Sequence, residues 1–221
     1  MTPASRRHIL YALAFLLLLP VVACSSPTTP PPATVTPTTA SLTDDFAPPN
    51  PAWARFDTAE SAVYAQAGEL YLEDRGRGIA VYAPLAGKTF TDVVVTVQVR
   101  HVQGTVNNWM GAICRQQDED NYYLLAISAD GFYLILLVED GAQTPLAGPE
   151  PTNAIRTGKA RNHLEAHCLG NRLSLWVNGQ WLSARTDTTL PTTGGVALFA
   201  DAVERGETSV TAFDNFVLKQ P

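Results

Sequence analysis

Hydrophobic and polar residues alternate along most of the chain with a period of two. Val93, Val95, Val97 and Val99 share one parity, while Asp92, Thr96, Gln98 and Arg100 share the other. Leu173, Leu175 and Val177 alternate with Arg172, Ser174, Trp176 and Asn178. Successive side chains of a strand point to opposite faces, so this pattern predicts half-buried strands. The same reasoning predicts strands over Glu69–Glu73, Ile79–Ala83, Trp109–Arg115, Tyr122–Ser128, Phe132–Val138, His163–Cys168, Val196–Ala200 and Ser209–Leu218. Gly, Asn, Asp and Pro fill the gaps. After Cys24 no stretch sustains a helical period. Many short strands at this spacing predict an all-β fold, a two-sheet antiparallel sandwich.

Two hairpins follow from their turns. Asn178-Gly179 suits a type I′ turn, which needs positive φ at both central residues. A two-residue loop pairs Val177 with Gln180 and Trp176 with Trp181, then sets Leu175 against Leu182 and Leu173 against Ala184. The two tryptophans then share the face opposite the leucines. Asp130-Gly131 is a similar turn between two strands that are apolar on both faces, which predicts a central position with cover on both sides.

The first residues obey a different pattern. Arg6 and Arg7 precede an apolar run from Ile9 to Ala23, and no acidic residue occurs before Cys24. The run is shorter than the roughly 20 apolar residues of a spanning helix and has the length of a signal peptide. It ends Val21-Val22-Ala23-Cys24, which resembles the lipobox of bacterial lipoproteins. That resemblance implies removal of residues 1–23, a diacylglyceryl thioether on Cys24, and an extracytoplasmic protein anchored to a cell membrane or outer membrane. Ser25 to about Ala40 is rich in Pro and Thr. Such a segment favours extended polyproline conformations and reads as a stalk, residues 24–40. Residues 41–221 are the right size for one domain.

Composition narrows the function. Of fifteen basic residues, Arg6 and Arg7 leave with the signal, so thirteen face twenty-one acidic residues and the formal charge moves from −6 to −8. With only Lys88, Lys159 and Lys219 as lysines and no basic cluster, nucleic acid is excluded as a partner. Two cysteines remain, Cys114 and Cys168. Export to an oxidising compartment favours a disulfide between them; the alternative is two buried free thiols.

Several motifs together are familiar. They are Gly111-Ala112-Ile113-Cys114-Arg115, Asp120-Asn121-Tyr122-Tyr123, Asp130-Gly131-Phe132-Tyr133, Leu175-Trp176-Val177-Asn178-Gly179, Gly194-Gly195-Val196-Ala197-Leu198 and Phe213-Asp214-Asn215-Phe216. This set resembles the concanavalin A-like lectin/glucanase domains, in particular their laminin-G-like and 3-keto-disaccharide hydrolase-like branches. The resemblance implies a jelly roll of two curved sheets with a face that often binds glycans. Glucanases of this fold hold a structural calcium ion between the first and last strands. By that resemblance Asp214 supplies a carboxylate, Gly68 a carbonyl, and Asp44 or Asp45 lies near another.

The catalytic signature of those glucanases is missing. Retaining glycosidases hold two carboxyls about 5 Å apart. No strand here carries a Glu-x-Asp-x-x-Glu pattern, and Asp118-Glu119-Asp120 reads as a solvated turn. His163 and His167 lie about 13 Å apart on a strand, too far to share a metal ion.

Sugar binding needs an aromatic surface flanked by polar groups. Trp176 with Trp181 is one such set, and Trp109 with Asn108, Arg115 and Asn121 is a second. The expectation is therefore a surface-anchored, non-catalytic carbohydrate-binding module. A hydrolase or lyase of the 3-keto-disaccharide type and a laminin-G-like module holding a protein partner are the alternatives.

Overall fold

The computed structural model describes residues 40–47 and 52–221. The signal segment, Cys24 and the stalk up to residue 39 lie outside the described residues. Fifteen strands occur among the described residues: β1 Ala40–Asp44, β2 Phe56–Asp57, β3 Ser61–Gln66, β4 Glu69–Arg75, β5 Ala80–Pro84, β6 Val93–Gln103, β7 Asn108–Gln116 and β8 Tyr122–Ile127, then β9 Phe132–Glu139, β10 Ala142–Pro151, β11 Asn162–Leu169, β12 Arg172–Val177, β13 Gln180–Thr186, β14 Gly195–Ala202 and β15 Thr208–Gln220.

They form two antiparallel sheets, a jelly-roll sandwich. One runs β13-β12-β11-β6-β15-β4-β3-β2, with β1 added against β15; the other runs β10-β9-β8-β7-β14-β5. The valines of β6 alternate as the chain pattern requires, with Val93, Val95, Val97 and Val99 at 2% exposure or less. They meet Met110, Tyr123, Leu125, Ile127 and Ile135 from the six-stranded sheet in one shared core.

A disulfide between Cys114 of β7 and Cys168 of β11 crosses that core and ties the two sheets together. The pairing expected from the cysteine count is therefore the one present.

The Asn178-Gly179 hairpin begins as expected, with φ of 50° and 78° and with Trp176 opposite Trp181. Beyond that pair a register shift intervenes. Leu175 faces Ser183 and Leu173 faces Arg185, not Leu182 and Ala184. One extra residue on β13 forms a bulge, which no composition rule places in advance. The Asp130-Gly131 hairpin joins β8 and β9, which are buried on both faces. Their second apolar face, Ile113, Tyr122, Leu124, Leu134, Leu136 and Phe199 among others, forms a separate cluster outside the sandwich core.

Candidate functional site

That second cluster builds the site. On the outer face of the six-stranded sheet, Phe199 of β14, Gly111 of β7 and Ala126 of β8 lie side by side in register. The neighbouring outward row holds Ala197, Ile113, Leu124 and Leu136. Small residues at Gly111, Ala126 and Ala197 lower the middle of this face. Gly111 is obligatory, because a Cβ there would sit 2.2 Å from the Leu125 carbonyl oxygen. This face carries a hollow of about 310 Å³, lined by Trp109, Tyr122, Leu134, Phe199, Gln143 and Asp201, with Leu124 and Leu136 in its wall.

Asp201 and Trp109 are direct cross-strand partners. Asp201, Trp109, Tyr122 and Gln143 are the polar residues that line the hollow. Tyr122 is buried, Asp201 and Trp109 are half-buried and Gln143 is exposed, and none has a side-chain hydrogen-bond partner among the described residues. Polar groups in an apolar surround ordinarily find partners in the protein, so Tyr122 and the half-buried Asp201 and Trp109, gathered in one apolar concavity, mark a place for a ligand. Burial, and then the Asp74 carboxylate, push the Asp201 pKa up. Burial, then Asp201 and Asp120, do the same to Tyr122.

The other residues expected around Trp109 do not join it. Asn108 shares the parity of Met110 and points inward, 1% exposed. Its Oδ1 accepts from the Ala129 amide at 3.0 Å and its Nδ2 meets His101 Nδ1 at 3.3 Å. Arg115 would point outward by simple alternation. A bulge opposite Val196 gives it a φ of 52° and turns it in. It is 2% exposed, donates to the Gly170 carbonyl and lies 5.9 Å over the Tyr123 ring. Asn121 donates to Asp118 at 2.9 Å and accepts from the Asp140 amide at 3.0 Å, fastening two turns together. These three side chains are structural, and a sugar would have to break internal contacts to reach them. Conversely, Asp201 and Gln143 were not marked by sequence reasoning. A lone Asp and a lone Gln in separate strands carry no signal until pairing sets them beside Trp109.

The Trp176/Trp181 surface lies on the outer face of the nine-stranded sheet. Trp176 packs on His167, ring centroids 4.3 Å apart, and His167 Nε2 meets Glu165 Oε1 at 2.5 Å. Trp181, on the edge strand β13, is 58% exposed. It presents an aromatic ring at the sheet edge.

The expected calcium ligands fit the ion poorly. Gly68 does lie beside the Asp45 carbonyl, since a Cβ on Gly68 would be 3.6 Å from that oxygen. The one anionic ligand, Asp214, is instead ion-paired to Arg161 at 2.6 Å. Arg161 also reaches Glu69 at 2.8 Å, and Glu69 takes a bidentate pair from Arg100 at 3.1 and 2.6 Å. A guanidinium already supplies the positive charge that a divalent ion would bring. Melting should therefore be the same in chelator and in added calcium; a higher melting temperature with calcium would restore the ion, because a ligand of the folded state raises stability by mass action. A larger hollow, about 500 Å³, adjoins Thr43, Asp44, Asp45 and Asn215. Its Asp44 carboxylate is committed to the Phe46 amide at 2.7 Å and the Trp53 indole at 2.8 Å.

No protein-family model and no curated protein sequence matches the chain. Solved structures do. The chain is similar to the carbohydrate-binding module CBM66 from Bacillus subtilis at 15% identity, with a TM-score of 0.59 over 76% of this chain and 96% of that one. It is similar to a Bacillus licheniformis beta-glucanase at 14% identity, with a TM-score of 0.57 over 83% of this chain and 99% of that one. A native glycosidic hydrolase matches at 14% identity and a TM-score of 0.60, over 86% of this chain and 98% of that one. At such identities the likeness is one of fold: a jelly-roll sandwich, an architecture that hosts many functions.

Proposed function

We propose that the chain is a non-catalytic carbohydrate-binding module, tethered outside the cell by a lipid on Cys24. The sugar sits in the hollow on the outer face of the six-stranded sheet. The observation that carries this reading is the hollow itself, in which Trp109, Tyr122 and Asp201, without side-chain hydrogen-bond partners among the described residues, share an apolar lining. A pyranose presents C–H faces to an aromatic ring and hydroxyls to donors and acceptors, which is what Trp109, Asp201, Tyr122 and Gln143 offer. The fold neighbours support it, since one is named as a carbohydrate-binding module and others as glycosidases. Turnover by double displacement needs two carboxyls about 5 Å apart. The described lining of the hollow includes one, Asp201.

Retention of the full chain on immobilised polysaccharides tests the reading. Trp109→Ala should weaken retention on the bound glycan by about thirtyfold, the effect of losing a buried aromatic anchor. Replacing Trp176 and Trp181 with Ala should leave it unchanged. Loss through the second pair, with Trp109→Ala silent, would move the site to the nine-stranded sheet.

A further inference from the structure

The charge balance of the hollow narrows its ligand. This step rests on the carbohydrate-binding reading above and specifies the sugar.

Asp201 is a carboxylate without a hydrogen-bond or ion-pair partner among the described residues, set into a wall of Trp109, Tyr122, Leu134 and Phe199. The charges acting on it and on Tyr122 are all acidic: Asp74 on the one, Asp201 and Asp120 on the other. Asp74 is itself held by the Arg77 and Gly78 amides, at 3.0 and 2.8 Å. Two cations stand near the rim and neither serves Asp201. Arg77 is paired with Glu60 at 2.8 Å, and the stem of Arg205 packs beside Gly78. Asp201 is half-buried, and a partly desolvated carboxylate is costly unless a cation meets it.

A neutral sugar hydroxyl donates one hydrogen bond to Asp201 and leaves its charge uncompensated. An ammonium group donates a stronger, charge-assisted bond and cancels the charge. The rings of Trp109, Tyr122 and Phe199 line the same hollow, and aromatic faces attract a cation rather than an anion. We propose that the hollow selects a sugar bearing a free amine, a deacetylated hexosamine, with its ammonium on Asp201 and its ring against Trp109. An N-acetyl group would lack the positive charge, and an acidic sugar would be repelled.

The test uses the full chain and three β-1,4-linked oligomers of equal length: glucosamine, N-acetylglucosamine and glucose. Titration calorimetry is run at low and at high salt, where attraction between exposed charges is screened but a buried pair is not. The glucosamine oligomer should bind about tenfold or more tighter than the other two, at both salt levels, as expected for a hydrogen bond to a charged group. Asp201→Asn should abolish that preference while the variant melts no lower than the parent. Equal or tighter binding of the neutral oligomers, abolished by Trp109→Ala, would overturn the amine preference and leave the carbohydrate-binding site standing. A preference that survives Asp201→Asn, or vanishes in salt, would trace it to the acidic surface and overturn the proposal. No binding of any oligomer by the folded chain would remove the proposal and count against the reading beneath it.

Discussion

Without the Cys114–Cys168 bridge the domain is expected to lose about 4 kcal/mol of stability, the loop-closure entropy for cysteines 54 residues apart. The bridge acts mainly on the unfolded chain. The two cysteines are 2% and 1% exposed, so reduced thiols would stay buried and pack as small apolar groups. What changes is that the unfolded chain no longer has β7 tied to β11. For a domain of this size 1 kcal/mol moves melting by about 2–4 °C, so replacing both cysteines with Ala should lower it by roughly 10 °C. Thermal melts of the oxidised parent and the double variant check this. Coincident melts would mean that the covalent tie contributes nothing, and that packing across β7 and β11 alone holds the sheets.

The second large effect belongs to Glu69. It accepts from Arg100, from the Tyr71 hydroxyl at 2.8 Å and from Arg161 at 2.8 Å, with its side chain 12% exposed. Arg100 is 24% exposed, but Arg161 is 41% exposed, so solvent screens the Arg161 contact and most of the effect rests on Arg100. Glu69→Gln should cost about 2–3 kcal/mol at neutral pH, the scale for a hydrogen-bonded charged group. Its pH dependence has a defined sign. The Arg100 hydrogen bonds, ahead of every other cause, hold the Glu69 carboxyl below the usual glutamate range. A depressed folded-state pKa means that the contribution is complete above the unfolded value and is lost as pH falls through the folded one. Urea midpoints of parent and variant should therefore differ at neutral pH and converge in acid. A gap that persists below the depressed value would show that Gln fails for shape rather than charge.

Much of the architecture was legible because strands have a period of two. Segments such as Val93–Val99 and Leu173–Val177 announced their buried face, and Asn178-Gly179 announced its turn. Some short or edge strands, β1, β2, β3 and β10, escaped notice. β10 carries Pro145, Pro149 and Pro151 and is exposed at most positions, so its residues do not alternate. β3 alternates only weakly, with Ala62 and Ala65 among its six residues. Trp109 was legible as an outward aromatic residue. Its neighbours were misjudged because Asn108 and Arg115 were grouped with it by nearness in sequence, when parity turns the first inward and a bulge the second.

The sequence by itself determined which residues prefer the interior, where the chain turns, that Cys114 and Cys168 fall in predicted strands, and that a glucanase-type acidic strand is missing. These are local properties, written in composition and period. The tertiary structure alone decided which outward residues meet. Asp201 stands beside Trp109 because β14 pairs with β7 in one register, and Asp214 meets Arg161 because only β6 separates β11 from β15, so the Arg161 side chain reaches across Gln98. Cross-strand adjacency depends on register and bulges, and a shift of one residue sends a side chain to the other face.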